Sequence, residues 1–525
     1  MTSQPELMDR LDRCLKAFGA KEINDITDEY TYHPDFRRAR LGSGSYGEAF
    51  TVRNAKNPTE DVRVAKIIPK ARITRTALQI QHICAEIAVT LKLKSPFLNQ
   101  AVGLYHSPTH LFLVLEMCEG PTPSIRTRLY HLFARYYPGR IPEVEDMAAA
   151  YEKEWDAEKK KHEQDRLAGG VKVGEDVLQY EEEQFWDAKM ATVLAQLGVK
   201  KEAPTKSDLF NLIVHHKRVP DAKSAVIIKQ CLQGLQFMHD NQIIHRDIKT
   251  ENVVLGETRS AEPIRDENGK VTGVRIREKI QAKLIDFGLV KYMRLASFPN
   301  SPSPGTFENA TNPFGGDGSM PENVNMAAEW PVSVTPCGTE LYCALEVLTG
   351  ILDSGSGQTK WASTADMLPK LDVYGCGTML FCMANGRAPF RLANNSYRQI
   401  SRSEKLRQIQ QLIEAGPLFS ASVSENTKNM VLKLMRNDPH KRPSATEALC
   451  DDYFKGVGHT YTYEVSCDGQ IQVLSEAEAA AKDAETAADL QNDDLIELMR
   501  GKEDHGDHKG KGDEESSPTT AAPSE

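Results

Sequence analysis

Residues 245–252 read His245-Arg246-Asp247-Ile248-Lys249-Thr250-Glu251-Asn252, a dense polar run between a helical stripe ending near His239 and the apolar Val253–Leu255. Polarity so concentrated marks a loop built for chemistry. Asp247 can accept a hydroxyl proton or orient that hydroxyl, Lys249 can neutralise a transferring phosphoryl group, and Asn252 offers an oxygen to a metal. Asp286-Phe287-Gly288 follows a further short apolar strand, Ala282–Ile285, and its carboxylate would complete a hard-cation site. Gly42-Ser43-Gly44-Ser45-Tyr46-Gly47 sits between two β-prone runs, whereas a dinucleotide-binding glycine loop joins a strand to a helix. A β-hairpin flap is left, whose glycines let backbone N–H groups approach phosphate oxygens; a structural turn is the plainer reading of the glycines alone. Lys66 is a cation embedded in an apolar strand with Val62, Val64 and Ala65. Glu86, 20 residues on in a helix with Ile83, Ile87 and Leu91, can supply its anion.

The elements that must position these groups fall into five segments of the 525-residue chain. Residues 1–35 are a helical extension, with Leu7, Leu11, Leu15 and Phe18 on one stripe that is expected to pack on its own domain. Residues 36–120 carry short β-prone runs around Leu41, at Ala49–Val52, Val62–Ile68 and Leu111–Glu116, with one main helix near Ile80–Leu91. Residues 121–206 are an 86-residue insertion, too long for an ordinary loop. Two helices are expected there, Asp146–Leu167 and Asp176–Leu197, with Trp186, Met190, Leu194 and Leu197 at helical spacing and the charge run as a solvated face. Residues 207–454 read mainly as helices, with apolar stripes at Ala225–His239, Val373–Met383 and Val431–Met435. Within them Leu295–Pro336 is a Pro-, Gly-, Asn- and Ser-rich loop. Residues 455–525 alternate over 460–474 around Asp468-Gly469, a hairpin turn pair, and then run into a polar acidic tail expected to be disordered.

Composition narrows the class. Hydrophobic residues are 40% and charged residues 26%, as in a soluble globular protein. The formal charge of −10 resides in residues 475–525, where 15 acids face 5 bases, and the rest of the chain is balanced. That argues against binding nucleic acid or an anionic membrane by bulk charge. No run approaches the roughly 18 consecutive apolar residues of a membrane span, and Met1–Gly19 lacks a signal-peptide core. An intracellular protein is expected, cytoplasmic first, with the nucleus open. The ten cysteines include no C-x-x-C pair, and Cys337/Cys343 and Cys376/Cys382 match no zinc spacing, so they read as reduced thiols.

Taken in order, these motifs resemble those of the eukaryotic protein kinase family, of the Ser/Thr type, from about Phe36 to Phe454 without the insertions. The resemblance implies an α+β fold of two lobes, a small β-rich N-lobe and a larger helical C-lobe, with MgATP in the cleft. It implies that Gly42, Gly44 and Gly47, with Ser43, Ser45 and Tyr46 between them, cover the phosphates. Lys66 would pair with Glu86 and contact the α- and β-phosphates, and Glu116 to Cys118 would form the adenine-contacting hinge. Asp247 would be the catalytic base, and Asn252 and Asp286 would hold Mg2+. Gly338-Thr339-Glu340-Leu341-Tyr342 resembles the substrate-docking loop and Ala344-Leu345-Glu346 the closing Ala-Pro-Glu. Asp372 resembles the buried acid that holds the catalytic loop, and Arg442 would pair with Glu346. Lys249 and Thr339 favour Ser/Thr over Tyr. Thr250 and Leu345 replace family prolines without removing a catalytic group, and Glu340 stands where many relatives have proline. Ala49 and Val64 look like an exchanged valine–alanine pair in the adenine ceiling, a volume-conserving swap that would leave adenine stacked in a re-shaped pocket.

The function so implied is transfer of the γ-phosphoryl of ATP to Ser or Thr hydroxyls of protein substrates. The alternative is a pseudokinase-like scaffold that recruits partners without chemistry. Glu251 and Asp208 resemble positions that meet basic side chains upstream of the phosphorylated hydroxyl, while a helix cap suits Asp208 equally well. A regulatory protein at the 121–206 insertion is a further expectation, and the sequence leaves the oligomeric state open. The loop from Asp286 through Glu346 spans 61 residues. In it Thr335, four residues before Thr339, is the candidate site of an activating phosphate that would face Arg246.

Overall fold

The computed structural model describes residues 3–32, 39–43, 46–57, 62–118, 120, 122–169, 175–199, 208–292, 344–348, 367–390 and 401–484. Gly44, Ser45, Thr335, Thr339 and the acidic tail beyond 484 lie outside them. Contacts divide the chain into two units, residues 1–473 and 474–525. In the second, Ser475 and Glu478 exchange the hydrogen bonds of a capping box.

The first unit opens with α1 (Gln4–Ala17), capped by Ser3 and Glu6, whose Leu7, Leu11 and Leu15 are buried. Strands β1 (Lys21–Glu22), β2 (Tyr30–Tyr32), β3 (Arg40–Ser43), β4 (Glu48–Asn54) and β5 (Arg63–Pro69) follow. A short helix α2 (Lys70–Ile73), helix α3 (Ala77–Lys92), β6 (Ala101–His106) and β7 (His110–Glu116) complete this part. The sheet order is β1-β6-β7-β5-β4-β2, with β3 added on β4. Alternation splits its side chains cleanly. Val52, Ala65, Phe112 and Val114 line one face. Ile68, Leu111 and Leu113 line the other, where Ile80, Ile83 and Ile87 of α3 and the leucines of α1 cover them. The N-terminal helix therefore packs on its own domain, as its stripe implies.

Three helices come next: α4 (Ile125–Tyr136), α5 (Val144–Gly169) and α6 (Glu175–Gln196). The larger lobe follows with α7 (Leu209–His216), α8 (Asp221–Asp240), β8 (Ile243–Ile244), β9 (Val253–Arg265), β10 (Val271–Leu284) and β11 (Lys291–Tyr292). From residue 367 on come α9 (Pro369–Asn385), α10 (Arg402–Ala415), α11 (Glu425–Leu434), α12 (Ala445–Leu449), β12 (Thr460–Ser466) and β13 (Ile471–Leu474). Leu232, Leu235, Leu380, Phe381, Val431 and Leu434 form the centre of its core.

One expectation needs correcting. The expected short strand Ala282–Ile285 is, up to Leu284, the end of β10, and the apolar Val253–Leu255 opens β9, so the two belong to a hairpin of 13- and 14-residue strands. The terminal hairpin is not separate either, because β12 pairs along β10 from Gly273↔Ser466 to Lys279↔Thr460. The resulting sheet has the order β13-β12-β10-β9. Alternate residues of β10 explain its length. Ile280, Ala282 and Leu284 enter the core of the larger lobe. Val274 and Ile276, on the same face, enter a second core with Leu129, Phe133, Trp155, Trp186 and Val465. The insertion therefore does not only present a charged face: its helices close over the hairpin. Trp155, Phe185 and Trp186 pack with centroids 4.9–6.2 Å apart. Between the two cores Glu278 of β10 meets Lys223 of α8 at 2.7 Å, and Lys223 also meets Glu257 at 2.6 Å. Gly120 fits the same junction, since a Cβ there would lie 1.7 Å from the Glu257 carbonyl oxygen.

His131 of α4 is a pH-sensitive point of the second core. Its Nε2 has no hydrogen-bond partner among the described residues, and burial, with Arg259 nearby, lowers its pKa to about 4 from an ordinary 6.5. A histidine held neutral by the fold contributes stability that is present above its unfolded pKa and lost as pH falls through its folded one. Thermal stability is expected to drop between about pH 6.5 and about pH 4, and His131→Phe should flatten that part of the profile. An identical pH profile in the variant would contradict this.

Candidate active site

The cleft face of the first sheet is set by register. Ala49 pairs with Lys66 and Thr51 with Val64 across β4 and β5, while Lys66 pairs with Leu113 and Val64 with Leu115 across β5 and β7. Paired residues share a face, so Ala49, Val64, Lys66, Leu113 and Leu115 all project toward the α3 side. The exchanged Ala49 and Val64 are thus neighbours on one surface, as volume compensation requires.

Lys66 Nζ reaches Glu86 Oε1 of α3 at 2.5 Å. Burial alone would lower the Lys66 pKa, but the carboxylates of Glu86 and Asp286 outweigh it and hold the ammonium above its ordinary value. Burial pushes the Glu86 carboxyl up against the pull of Lys66. Glu86 Oε2 is buried without a hydrogen-bond partner among the described residues. Asp286 closes the group: a Cβ added to Gly288 would lie 3.3 Å from Asp286 Oδ1 and 4.0 Å from both Glu86 Oε2 and the Tyr46 ring. Asp286 itself has φ 64° and its carboxylate accepts from Gly288 N. A non-glycine residue in this region carries strain, which persists where the surroundings over-determine it.

On the flap, Gly42 and Ser43 of β3 pair with Ala49 and Glu48. Gly47 is obligatory, since a Cβ would lie 2.0 Å from the Ile67 carbonyl oxygen. Tyr46 turns inward, its hydroxyl 3.3 Å from His82 Nδ1 of α3. That contact was not legible beforehand, because nothing in a glycine-rich run says which way its tyrosine points. At the hinge, the Glu116 carboxylate accepts from Gln100 N at 2.8 Å and pairs with Lys283 at 2.7 Å. The Cys118 thiol donates to the Gln281 carbonyl at 3.7 Å. Both side chains are thereby committed to protein contacts, and sequence reasoning missed Lys283 and Gln100 as the partners of Glu116.

The catalytic-type loop hangs from Asp372 in the first turn of α9. Its Oδ2 accepts from His245 N at 2.8 Å and its Oδ1 from Arg246 N at 2.7 Å, and His239 Nε2 lies 2.9 Å from Oδ2. Asp372 as a residue is 1% exposed. Arg246 adopts φ 68° and donates from Nε to the Leu289 carbonyl at 2.5 Å. At the next residue, Asp247 Oδ2 receives Lys249 Nζ at 2.7 Å and Asn252 Nδ2 at 2.9 Å. Asn252 Nδ2 also donates to the Asp247 carbonyl at 2.8 Å, and no described residue donates to its Oδ1. His245 Nε2 lies 3.1 Å from the Ile285 carbonyl, and Phe287 is buried against the His245 ring, so the loop and the Asp286 turn are tied together.

No group of three or more His, Cys, Asp or Glu side chains able to hold a metal occurs among the described residues. Asn252 Oδ1 with the Asp286 carboxylate is a hard, two-residue oxygen set, which suits Mg2+ that takes its other ligands from phosphate and water. Elsewhere in the lobe, Arg442 makes a two-pronged pair with Glu346 at 2.7 and 3.0 Å. Asp208 caps α7 through Asn211 N at 2.8 Å.

Sequence comparisons agree with this geometry. A model described as protein kinase domain matches residues 195–454, and one described as protein tyrosine and serine/threonine kinase matches residues 37–300, just over half the chain. The chain belongs to the protein kinase family, with the two-lobed α+β fold of that family. It is 26% identical over 268 residues to the serine/threonine-protein kinase DCLK3 of Mus musculus, covering 51% of this chain and 25% of that protein. It is 26% identical to calcium-dependent protein kinase 4 of Plasmodium falciparum, covering 48% of this chain and 34% of that protein. With the DNA damage response protein kinase DUN1 of Saccharomyces cerevisiae it shares 27% identity, covering 48% of this chain and 38% of that protein. The chain thus spans between a quarter and two-fifths of these relatives. No described helix is long and apolar enough to cross a membrane.

Replacing Asp372 by Ala strands two buried backbone donors, at about 1–3 kcal/mol each. Asp372→Ala should lower the denaturant midpoint, and kcat should fall far more than KM changes because loop geometry, not nucleotide contact, is lost. An unchanged midpoint and kcat would contradict the role assigned to this carboxylate.

Proposed function

We propose that this protein transfers the γ-phosphoryl of MgATP to serine and threonine hydroxyls of protein substrates. The observation that carries the reading is the Asp247 carboxylate held between Lys249 and Asn252 on a loop anchored by Asp372. Asp247 accepts the proton of the attacking hydroxyl, and Lys249, at its side, balances charge as the phosphoryl group moves across. Lys66, aligned by Glu86, holds the nucleotide phosphates. Asn252 and Asp286 would hold Mg2+, which supplies charge neutralisation at the phosphates. Because the Glu116 and Cys118 side chains are committed elsewhere, the hinge would meet adenine through main-chain groups. Lys249 and the names of the relatives support Ser/Thr over Tyr; Thr339 lies outside the described residues. A scaffold without chemistry is the weaker reading, since Lys66, Glu86, Asp247, Asn252 and Asp286, the groups it would be expected to lack, are all present. Substrates with upstream basic residues fit the exposed Glu251 better than Asp208, whose carboxylate is engaged as a cap.

Asp247→Asn should cut transfer by about 10²–10⁴-fold while ATP binding survives. Lys66→Met should cripple transfer through lost phosphate alignment. Unchanged turnover in both, measured with labelled ATP, would sink the enzymatic reading.

Regulation by phosphorylation of Thr335 belongs to the same proposal. Arg246, whose pKa burial lowers, is a guanidinium that a phosphate would help to neutralise. Phosphopeptide mapping of active protein should find phosphate on Thr335, and Thr335→Ala should lower kcat. Full activity of Thr335→Ala with an unmodified loop would end this part of the proposal.

A further inference from the structure

Helix α1 meets both elements that carry the Lys66–Glu86 pair. Its Leu7, Leu11 and Leu15 share a core with Ile68 of β5 and with Ile80, Ile83 and Ile87 of α3. Its Asp12 reaches Lys70, the residue that follows β5 and opens α2, with Oδ1 2.6 Å from Nζ. Lys66 stands on β5 four residues before Lys70, and Glu86 stands on α3. We propose that Asp12 is a positioning residue: paired with Lys70, it seats α1 across β5 and α3 and so holds Glu86 against Lys66.

The weight of this contact comes from the burial of its cation. An ion pair between two exposed side chains contributes little. Here the Lys70 side chain is 2% exposed and that of Asp12 45%. A buried ammonium left without its counter-charge costs more than the pair itself gains, so Lys70 requires a carboxylate. Among the described residues Asp12 is the only carboxylate paired with it. The ammonium also donates to His106 Nδ1 of β6 at 3.3 Å, a contact that supplies an acceptor but no negative charge. The Lys70 backbone is fixed as well, its N–H donating to the Thr109 carbonyl at 2.9 Å and its carbonyl accepting from the Thr74 hydroxyl at 2.9 Å. Lys70 therefore keeps its place, and α1 comes to it.

Glu86 depends on that seat. Its Oε1 meets Lys66, but its Oε2 is buried with no hydrogen-bond partner among the described residues, so the packing of α3 sets where the carboxylate lies. Asp9 supplies the contrast on the same helix: it pairs with Arg13 of α1 at 3.2 Å, and both side chains are exposed. The consequence of Asp12 for phosphotransfer rests on the proposed kinase function, whereas the seating of α3 does not.

The test compares the full chain with Asp12→Asn, Asp12→Glu and Asp9→Asn. Amide hydrogen exchange over residues 77–92 should quicken in Asp12→Asn, return toward the wild-type rate in Asp12→Glu and stay unchanged in Asp9→Asn. With labelled ATP and a peptide substrate, kcat of Asp12→Asn should fall by about 10–100-fold at unchanged peptide KM, the scale on which a small misplacement of a positioned group acts. In a Glu86→Gln background the same substitution should cost little more, because the carboxylate through which Asp12 acts is already gone. Losses that multiply in the double variant would overturn the positioning role. Unchanged exchange over 77–92 in Asp12→Asn, or an equal effect from Asp9→Asn, would overturn the seating of α3. Absence of phosphotransfer in every form would count against the kinase reading alone, because exchange over 77–92 still decides whether Asp12 holds α3.

Discussion

A single buried carboxylate organises the candidate active site of this molecule. Asp372 takes two successive backbone N–H groups from residues 245 and 246, which a regular strand or helix would have paired with carbonyls. Both would otherwise be buried donors without acceptors, and the desolvation cost of such groups is what forces the chain to turn there. The turn puts Arg246 at positive φ and delivers Asp247 to Lys249 and Asn252. The same loop is tied through His245 to Ile285 and so to Asp286, whose carboxylate faces the Lys66–Glu86 pair. Groups from three parts of the sequence therefore converge because one acid in α9 fixes the backbone between them.

The second organising feature is β10. Its alternating face enters two cores, that of the larger lobe at Ile280–Leu284 and that of the inserted helices at Val274–Ile276. Glu278 occupies the crossing point, where an apolar side chain would be surrounded by Lys223, Glu257 and Arg259. Burial penalises every charge in this cluster, yet the Glu257 carboxyl is held well below its usual range because Lys223 and Arg259 outweigh that cost. The insertion is thus integral to the lobe, its helices packing on the sheet that the lobe supplies.

The candidate set was legible because the proposed chemistry dictates residue types at fixed order; in the structure Lys66 meets Glu86, Asn252 meets Asp247, and the Asp286 carboxylate acts on Lys66. Helices with clean stripes, such as Ala225–His239 within α8, were legible for the same reason of periodicity. The long hairpin was not. Val274, Ile276, Ile280, Ala282 and Leu284 do alternate, but Glu278 breaks the pattern at the junction, and its burial depends on Lys223, 55 residues away. Nor could spacing reveal that Lys283 and Gln100 occupy the Glu116 carboxylate, since both contacts are tertiary.

The central claim is that this constellation moves phosphate to protein hydroxyls. Incubation of the full chain with γ-labelled ATP and Mg2+ and a degenerate peptide library, followed by phosphoamino acid analysis, addresses it directly. The account predicts label on phosphoserine and phosphothreonine. ATP binding without any transfer, or label confined to phosphotyrosine, would contradict it.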